Sequence, residues 1–289
     1  MKNIIKFAVV VSLFSIGIAA QVQLPRESQR QEVVQTVGDA TIRVVYHRPN
    51  VKGRKIWDGL VPYGKVWRAG ANEATLFEFS RDVTVNGQPL PAGKYSFHVI
   101  PESREWTLIF NKDDGQWGSF SYDAAKDALR VRSSIEKALF TESLTYTFGK
   151  VDPDGVDVYL IWENVQVPFR IGIGNIHGRI LSQIREGLAG KTGAERVPLL
   201  NQFANYVATF KLKDHLDEAL TNIDASIAAR ETFSNNYTKA RLMAEKGNYR
   251  EAVRLGEKAL EMGPAATPPA NPNFLDLIRT TVAEWKAKM

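Results

Sequence analysis

The hydrophobic period of this chain changes once, near residue 174, and that change constrains its fold more than any other feature. Before it, apolar residues recur at every second position: Ile42, Val44 and Tyr46; Tyr95, Phe97 and Val99; Leu144, Tyr146 and Phe148. Alternation of this kind marks strands with one buried face. Similar short runs fall at 76–79, 83–85, 106–110, 129–132 and 156–162. Turn signals such as Asn86-Gly87, Asp113-Asp114-Gly115 and Asp152-Pro153-Asp154-Gly155 separate them. Many short strands without long intervening helices predict an antiparallel β-sandwich or barrel-like domain.

Beyond Gly174 the apolar stripe is helical, beginning with Ile176, Ile180, Ile184 and Leu188 and continuing through 197–210, 216–229, 237–244 and 249–262. A last helix is predicted over 274–286, set apart by Pro264, Pro268, Pro269 and Pro272, because proline cannot continue a helix interior. The expected fold class is therefore α+β by segregation, with a β-sandwich domain over 21–173 and an all-α, helical-repeat-like domain over 174–289. Gly247, Tyr249, Ala252, Ala259 and Pro264 sit at the spacings of a tetratricopeptide second helix, and Ala219 lies 33 residues before Ala252, near that repeat's period. An irregular helical bundle fits the same residues.

Lys2 and Lys6 precede an apolar run over 7–20 that ends in small residues, the layout of a secretory signal peptide. The run is short for a bilayer span, which needs roughly 20 apolar residues. The mature chain is thus expected to start near Gln21, to be periplasmic or secreted, and to keep no stable membrane insertion after signal cleavage. With no cysteine, disulfides, thiolate catalysis and a lipid-modified N-terminus drop out. The formal charge of +5 falls to +3 once Lys2 and Lys6 leave, too little to point to nucleic acid.

What positive excess remains is local. Residues 46–75, YHRPNVKGRKIWDGLVPYGKVWRAGANEAT, hold six lysines and arginines against Asp58 and Glu73, with aromatics between four glycines. A segment this long without strand period, yet rich in aromatics, is expected to be an ordered, functional loop. Its candidate ligand-binding residues are Arg48, Arg54, Trp57, Tyr63, Trp67, Arg68, Asn72 and Glu73. Guanidinium forks match carboxylates or phosphates, and Trp57 with Trp67 would supply an apolar or sugar-stacking wall. The competing reading pairs the arginines with the chain's own Glu73, Asp82 or Asp127.

The expected function is a non-catalytic binding or scaffold protein for an anionic or glycan ligand, with the helical domain docking a protein partner. The alternative is a secreted hydrolase that uses Glu73, Asp58 or Asp127 as acid or base. His47 and His98 could meet Glu73 around a metal, but nothing in their spacing supports it, so no metal and no cofactor are expected. His47 follows Tyr46 and is expected to point away from the core. Gly172-Ile173-Gly174 followed by a helix reads as a junction, since no βαβ unit accompanies it.

The runs YHRPNVKGRKIW, LVPYGKVWRAGANEAT, LPAGKYSFHVIP and WTLIFNK, then Trp117-Gly118 and the Asp127-Ala128-Leu129-Arg130-Val131 segment, resemble in that order a secreted bacterial family, domain of unknown function 2911, over about 32–148. The resemblance implies a secreted β-rich domain, often with a helical repeat-like tail. It implies no reaction.

Overall fold

The structure, a computed structural model, describes residues 25–289; the signal peptide expected at 1–20 lies outside them. The chain forms two compact units, dividing at Gly174. In chain order the strands of the first are β1 (Gln29–Val37), β2 (Ala40–Arg48), β3 (Thr75–Phe79), β4 (Val83–Val85), β5 (Gln88–Leu90), β6 (Gly93–Ile100), β7 (Glu105–Asn111), β8 (Asp127–Ser134), β9 (Glu136–Asp152) and β10 (Gly155–Gly172). They make two antiparallel sheets, one ordered β1-β2-β3-β6-β7-β8 and the other β5-β4-β10-β9. Neither sheet closes, so of the two forms expected the sandwich is the one adopted. Asn86 and Gly87 both take positive φ in the β4–β5 hairpin, which is what a tight two-residue turn requires.

The core between the sheets follows from the period-two pattern. Ile42, Val44 and Tyr46 on β2 lie opposite Phe79, Phe77 and the Thr75 position on β3, and the row continues through Phe97 on β6 and Phe110 on β7. Phe77 meets Tyr146 and Phe169 of the second sheet with ring centroids 5.8 Å apart in both pairs. Edge-on and tilted pairs at such distances bury large areas in favourable ring orientations.

The other face of the six-stranded sheet departs from expectation. His47 does stand opposite the core residues of β2, yet it is buried, and His98 on β6 is wholly inaccessible. Parts of two connections meet here: the end of the 49–74 segment between β2 and β3, and the 112–126 segment between β7 and β8, joined by Gly118 N–H to the Asn72 carbonyl and Ala74 N–H to that of Gln116. The part of this face around His47, Ser96 and His98 is therefore enclosed by chain, while Thr41, Lys94 and Arg132 on the same face stay exposed.

The second unit has six helices: α1 (Ile176–Leu188), α2 (Val197–Phe210), α3 (Leu216–Ala229), α4 (Phe233–Glu245), α5 (Tyr249–Met262) and α6 (Pro272–Lys286). Each packs on its sequence neighbour through short connections, which makes consecutive helices antiparallel. Leu181, Phe203, Val207 and Ile223 form one apolar cluster. Tyr237, Leu255, Ile278 and Trp285 form another. The α4 N-terminus carries a capping box between Thr232 and Asn235. The last helix starts at Pro272, two residues earlier than predicted, because a proline in the first turn sacrifices no helical hydrogen bond. Among the described residues no helix is long and apolar enough to cross a membrane.

Candidate functional site

The loop over 49–74 is packed onto the β unit by backbone hydrogen bonds at intervals. Val51 N–H donates to the Glu142 carbonyl at 2.8 Å, Leu144 N–H to that of Pro49 at 3.0 Å, and Ala74 N–H to that of Gln116 at 3.0 Å. Trp67 and Val99 exchange two such bonds, each 2.8 Å. Residues 67 and 68 thus continue the lane of β3 alongside β6. In that antiparallel register the next step sets Arg68 opposite His98, where same-face Cβ atoms stand roughly 4.5–5.5 Å apart.

The eight candidate residues do not converge. Trp57 is buried against Trp106 at 4.7 Å and Trp162 at 5.8 Å, and Trp67 stacks on Trp162 at 5.8 Å. Trp57 thus belongs to the core at one end of the sandwich, whereas Trp67, stacked at its edge, stays partly exposed. Arg48 donates from Nε to the Leu144 carbonyl at 2.9 Å and from Nη2 to Thr145 Oγ1 at 2.8 Å, tying β2 to β9. Arg54 donates to the carbonyls of Asn50 and Val51 and so braces its own turn. Asn72 Nδ2 donates to the Ser28 carbonyl at 3.2 Å. Tyr63 lies at the exposed end of the loop.

Glu73 is engaged from outside the loop. Both its oxygens accept from Arg26 Nη1, at 2.8 and 2.7 Å, and its Oε2 lies 3.4 Å from His47 Nδ1. Burial raises its pKa, but the Arg26 hydrogen bond and the neighbouring charges outweigh that and hold it below the usual carboxylate range. The His47 imidazole is pushed down by burial, with Glu73 pulling the other way. His98 does not join them, and among the described residues no three His, Asp or Glu side chains gather in a way that could hold a metal.

Arg68 differs from the other arginines. Its side chain is half-buried, its Nε is buried without a hydrogen-bond partner, and among the described residues it has no ion pair. Burial alone shifts its guanidinium downward, with no carboxylate opposing that effect. The backbone that presents it is strained. Ala69 and Asn72 take φ of 52° and 57°, unusual for residues other than glycine. The Ala69 carbonyl accepts from Thr75 Oγ1 and from the Tyr146 hydroxyl, both at 2.9 Å, which holds the turn in place. Gly70 is needed there because a Cβ would come within 2.8 Å of Thr75 Oγ1 and 3.2 Å of the His47 carbonyl. Strain of this kind persists only where the surroundings over-determine it and clusters at functional sites.

On the outer face, Gln116 Oε1 and Ser119 Oγ are buried without a hydrogen-bond partner among the described residues, and the buried His98 ring lies beside the Gly118 and Ser96 backbone and the Arg68 guanidinium. Each comes from a different part of the fold. His98 belongs to β6, while Gln116 and Ser119 belong to the 112–126 connection, which is fixed to the first loop by Gly118 N–H donating to the Asn72 carbonyl. The Tyr122 ring lies over His98 at 5.2 Å. Burial lowers His98 to about 4, against the Gly118 and Ser96 backbone and the Asp127 carboxylate, so the imidazole is neutral at neutral pH.

A carboxylate that acts on His98 is fully committed. Asp127 accepts from Asn111 Nδ2 at 2.8 Å, Tyr122 Oη at 2.7 Å and Arg130 Nε at 2.6 Å. Burial, then Asp127, pushes the Tyr122 phenol up to about 12. The arginine-carboxylate pairing weighed from sequence therefore holds for none of Arg48, Arg54 and Arg68. Glu73 and Asp127 are paired, but with Arg26 and Arg130, which the sequence reading did not single out. Gln116, Ser119 and Tyr122 also went unnoticed. The one signal for them was that Ser96 and His98 share the face of β6 opposite Tyr95, Phe97 and Val99.

The fold and site define a two-sheet domain with a polar cluster enclosed on the outer face of its larger sheet, continued by a helical unit. Residues 28–171 match the model of a family described as a protein of unknown function, DUF2911, and through this domain the chain belongs to that family. The chain matches no curated protein and no solved structure.

Proposed function

We propose that the β domain is a non-catalytic binding module for a small anion, centred on Arg68. The observation that carries this reading is a half-buried guanidinium whose Nε is buried without a hydrogen-bond partner among the described residues. Desolvating a charge without a partner is costly, and folds retain such a group where something outside the chain satisfies it. Its rigid presentation by the strained 69–72 turn supports the same conclusion, since a preorganised site loses less entropy on binding.

The hydrolase reading has no observation in its favour. Glu73 is held by Arg26 and Asp127 by three donors, so neither is poised to exchange a proton. A glycan ligand loses half of its stacking wall, since Trp57 is in the core and only the partly exposed Trp67 is left to it. Two parts of the proposal rest on sequence: export, from residues 1–20, and a protein partner for the tetratricopeptide-like helices, a view supported by the paired α2–α3 and α4–α5.

The test is calorimetric titration of the purified chain with acetate, propionate and sulfate, alongside Arg68→Ala and Arg48→Ala. Saturable binding that disappears with Arg68→Ala and survives Arg48→Ala is the expected result. Binding to neither the original protein nor Arg48→Ala would sink the reading.

A further inference from the structure

In the helical unit a cavity of about 640 Å³ opens where three segments meet: residues 230–233 entering α4, Met262 at the end of α5, and the 265–271 stretch that leads to Phe274 of α6. Its size is that of a small-molecule site. The connection that forms one side turns on Gly263, whose carbonyl accepts from Ala266 N–H at 3.3 Å and Ala270 N–H at 3.0 Å. A Cβ at Gly263 would come within 2.6 Å of Leu275 Cδ2, so this turn sits tight against α6. Prolines at 264, 268 and 269 restrict its backbone further, which leaves a preorganised rim.

The wall is largely apolar. Phe233, Met262, Ala266, Pro268, Pro269 and Phe274 line it, and the Phe233 and Phe274 rings meet at 6.2 Å. Most of its polar groups are already used within the chain. Thr232 Oγ1 accepts from Asn235 N–H at 3.2 Å, and Asn271 Oδ1 from Asn273 N–H at 2.9 Å. Glu231 accepts from Lys258 and from Asn236 Nδ2, and those two hydrogen bonds hold its pKa below the usual carboxylate range. Pro268 and Pro269 have no N–H to give. A peptide laid here would bring an N–H and a carbonyl at nearly every residue and meet few partners, whereas an alkyl chain needs none. Arg230 is the exception in this wall. Among the described residues its guanidinium makes no ion pair or hydrogen bond, while Glu231, the other charge lining the cavity, is paired.

We propose that this cavity binds a fatty carboxylate: the alkyl chain lies along Phe233, Met262 and Phe274, and the carboxylate pairs with Arg230. Burial of the chain supplies most of the affinity, and the single free charge selects an acid over a neutral or cationic head. The site is separate from Arg68, and either can fail without the other.

Calorimetric titration of the full chain with octanoate, hexanoate and 1-octanol, below the concentrations at which they self-associate, tests this. Each methylene that enters the cavity strengthens binding about fourfold, so octanoate should bind on the order of tenfold tighter than hexanoate. Arg230→Gln, at an exposed position, should weaken octanoate about threefold to fivefold and leave 1-octanol unchanged. Ala266→Trp, which fills the space, should abolish binding of both, and Arg68→Ala should leave octanoate binding intact. Octanoate binding that is lost in Arg68→Ala and unchanged in Arg230→Gln would overturn the inference and assign the acid to the β domain. Equal binding of octanoate and 1-octanol, insensitive to Arg230→Gln, would overturn the carboxylate. Absence of octanoate binding would overturn the site, whatever propionate does at Arg68.

Discussion

Trp67 and Val99 donate a backbone hydrogen bond to each other, both 2.8 Å long, and this pair fixes where Arg68 stands. Trp67 then faces the core with Val99, while Arg68 faces outward with His98. One ladder step thus separates a ring stacked on Trp162 from a guanidinium that stands beside the buried His98.

Arg68 and Arg48 should respond oppositely to removal. Arg68→Leu takes away a half-buried charge without a partner, so the ligand-free protein is expected to gain about 1 kcal/mol while losing anion binding. Arg48→Leu strips the Leu144 carbonyl and Thr145 of their donor and should cost about 1–2 kcal/mol with binding retained. Urea unfolding followed by tryptophan fluorescence measures both, and a comparable loss for Arg68→Leu would class it with the structural arginines.

Trp57→Ala is expected to destabilise the β unit by about 3–5 kcal/mol, the range for truncating a large buried aromatic. Its ring borders Trp67, Trp106 and Trp162, and no single neighbour can fill the space. A change below 1 kcal/mol in the same unfolding assay would contradict the burial of this ring.

Acidification should weaken the fold before the carboxylates titrate. Folded His98 stays neutral down to about 4, whereas an unfolded histidine takes up its proton near 6.5. Between those values the unfolded chain binds more protons, so stability is full above pH 6.5 and declines as pH falls, by at most about 1.4 kcal/mol per unit from this group. Arg68, Asp113, Asp127 and Tyr122 face the ring, and His47 shifts in the same direction. Stability measured from pH 7 to 4.5 should slope less in His98→Gln; an unchanged slope would remove His98 as the cause.

Gly256→Ala should destabilise the helical unit even though alanine is the better helix former. A methyl at this position on α5 would overlap Val282 Cγ2 and touch the Trp285 ring on α6. Overpacking of this sort costs about 1–3 kcal/mol. Thermal unfolding that rises with the substitution would show that α6 can move aside.

Much of the fold was legible because its periods are local properties. Ile42, Val44 and Tyr46 alternate, Asn86-Gly87 turns, and Ile176, Ile180 and Ile184 repeat at helical spacing, so strands, hairpins and helices could be placed without knowing what touches what. The candidate site was legible only as a crowded segment. Composition grouped Arg48, Arg54 and Arg68 as equivalent, because side-chain type does not reveal which carbonyl or carboxylate lies within 3 Å after folding.

By itself, then, the sequence determined a β half and a helical half, the residues that face the core, and the presence of an unusual basic, aromatic loop. Tertiary structure decided how that loop was divided: Trp57 to the core with Trp67 stacked at its edge, Arg48 and Arg54 to backbone carbonyls, Glu73 to Arg26, and Arg68 to a place beside His98. The reason is physical. Periodicity is set by neighbours along the chain, whereas hydrogen-bond satisfaction depends on atoms tens of residues away that meet only when the sheets and their covering loops are in place.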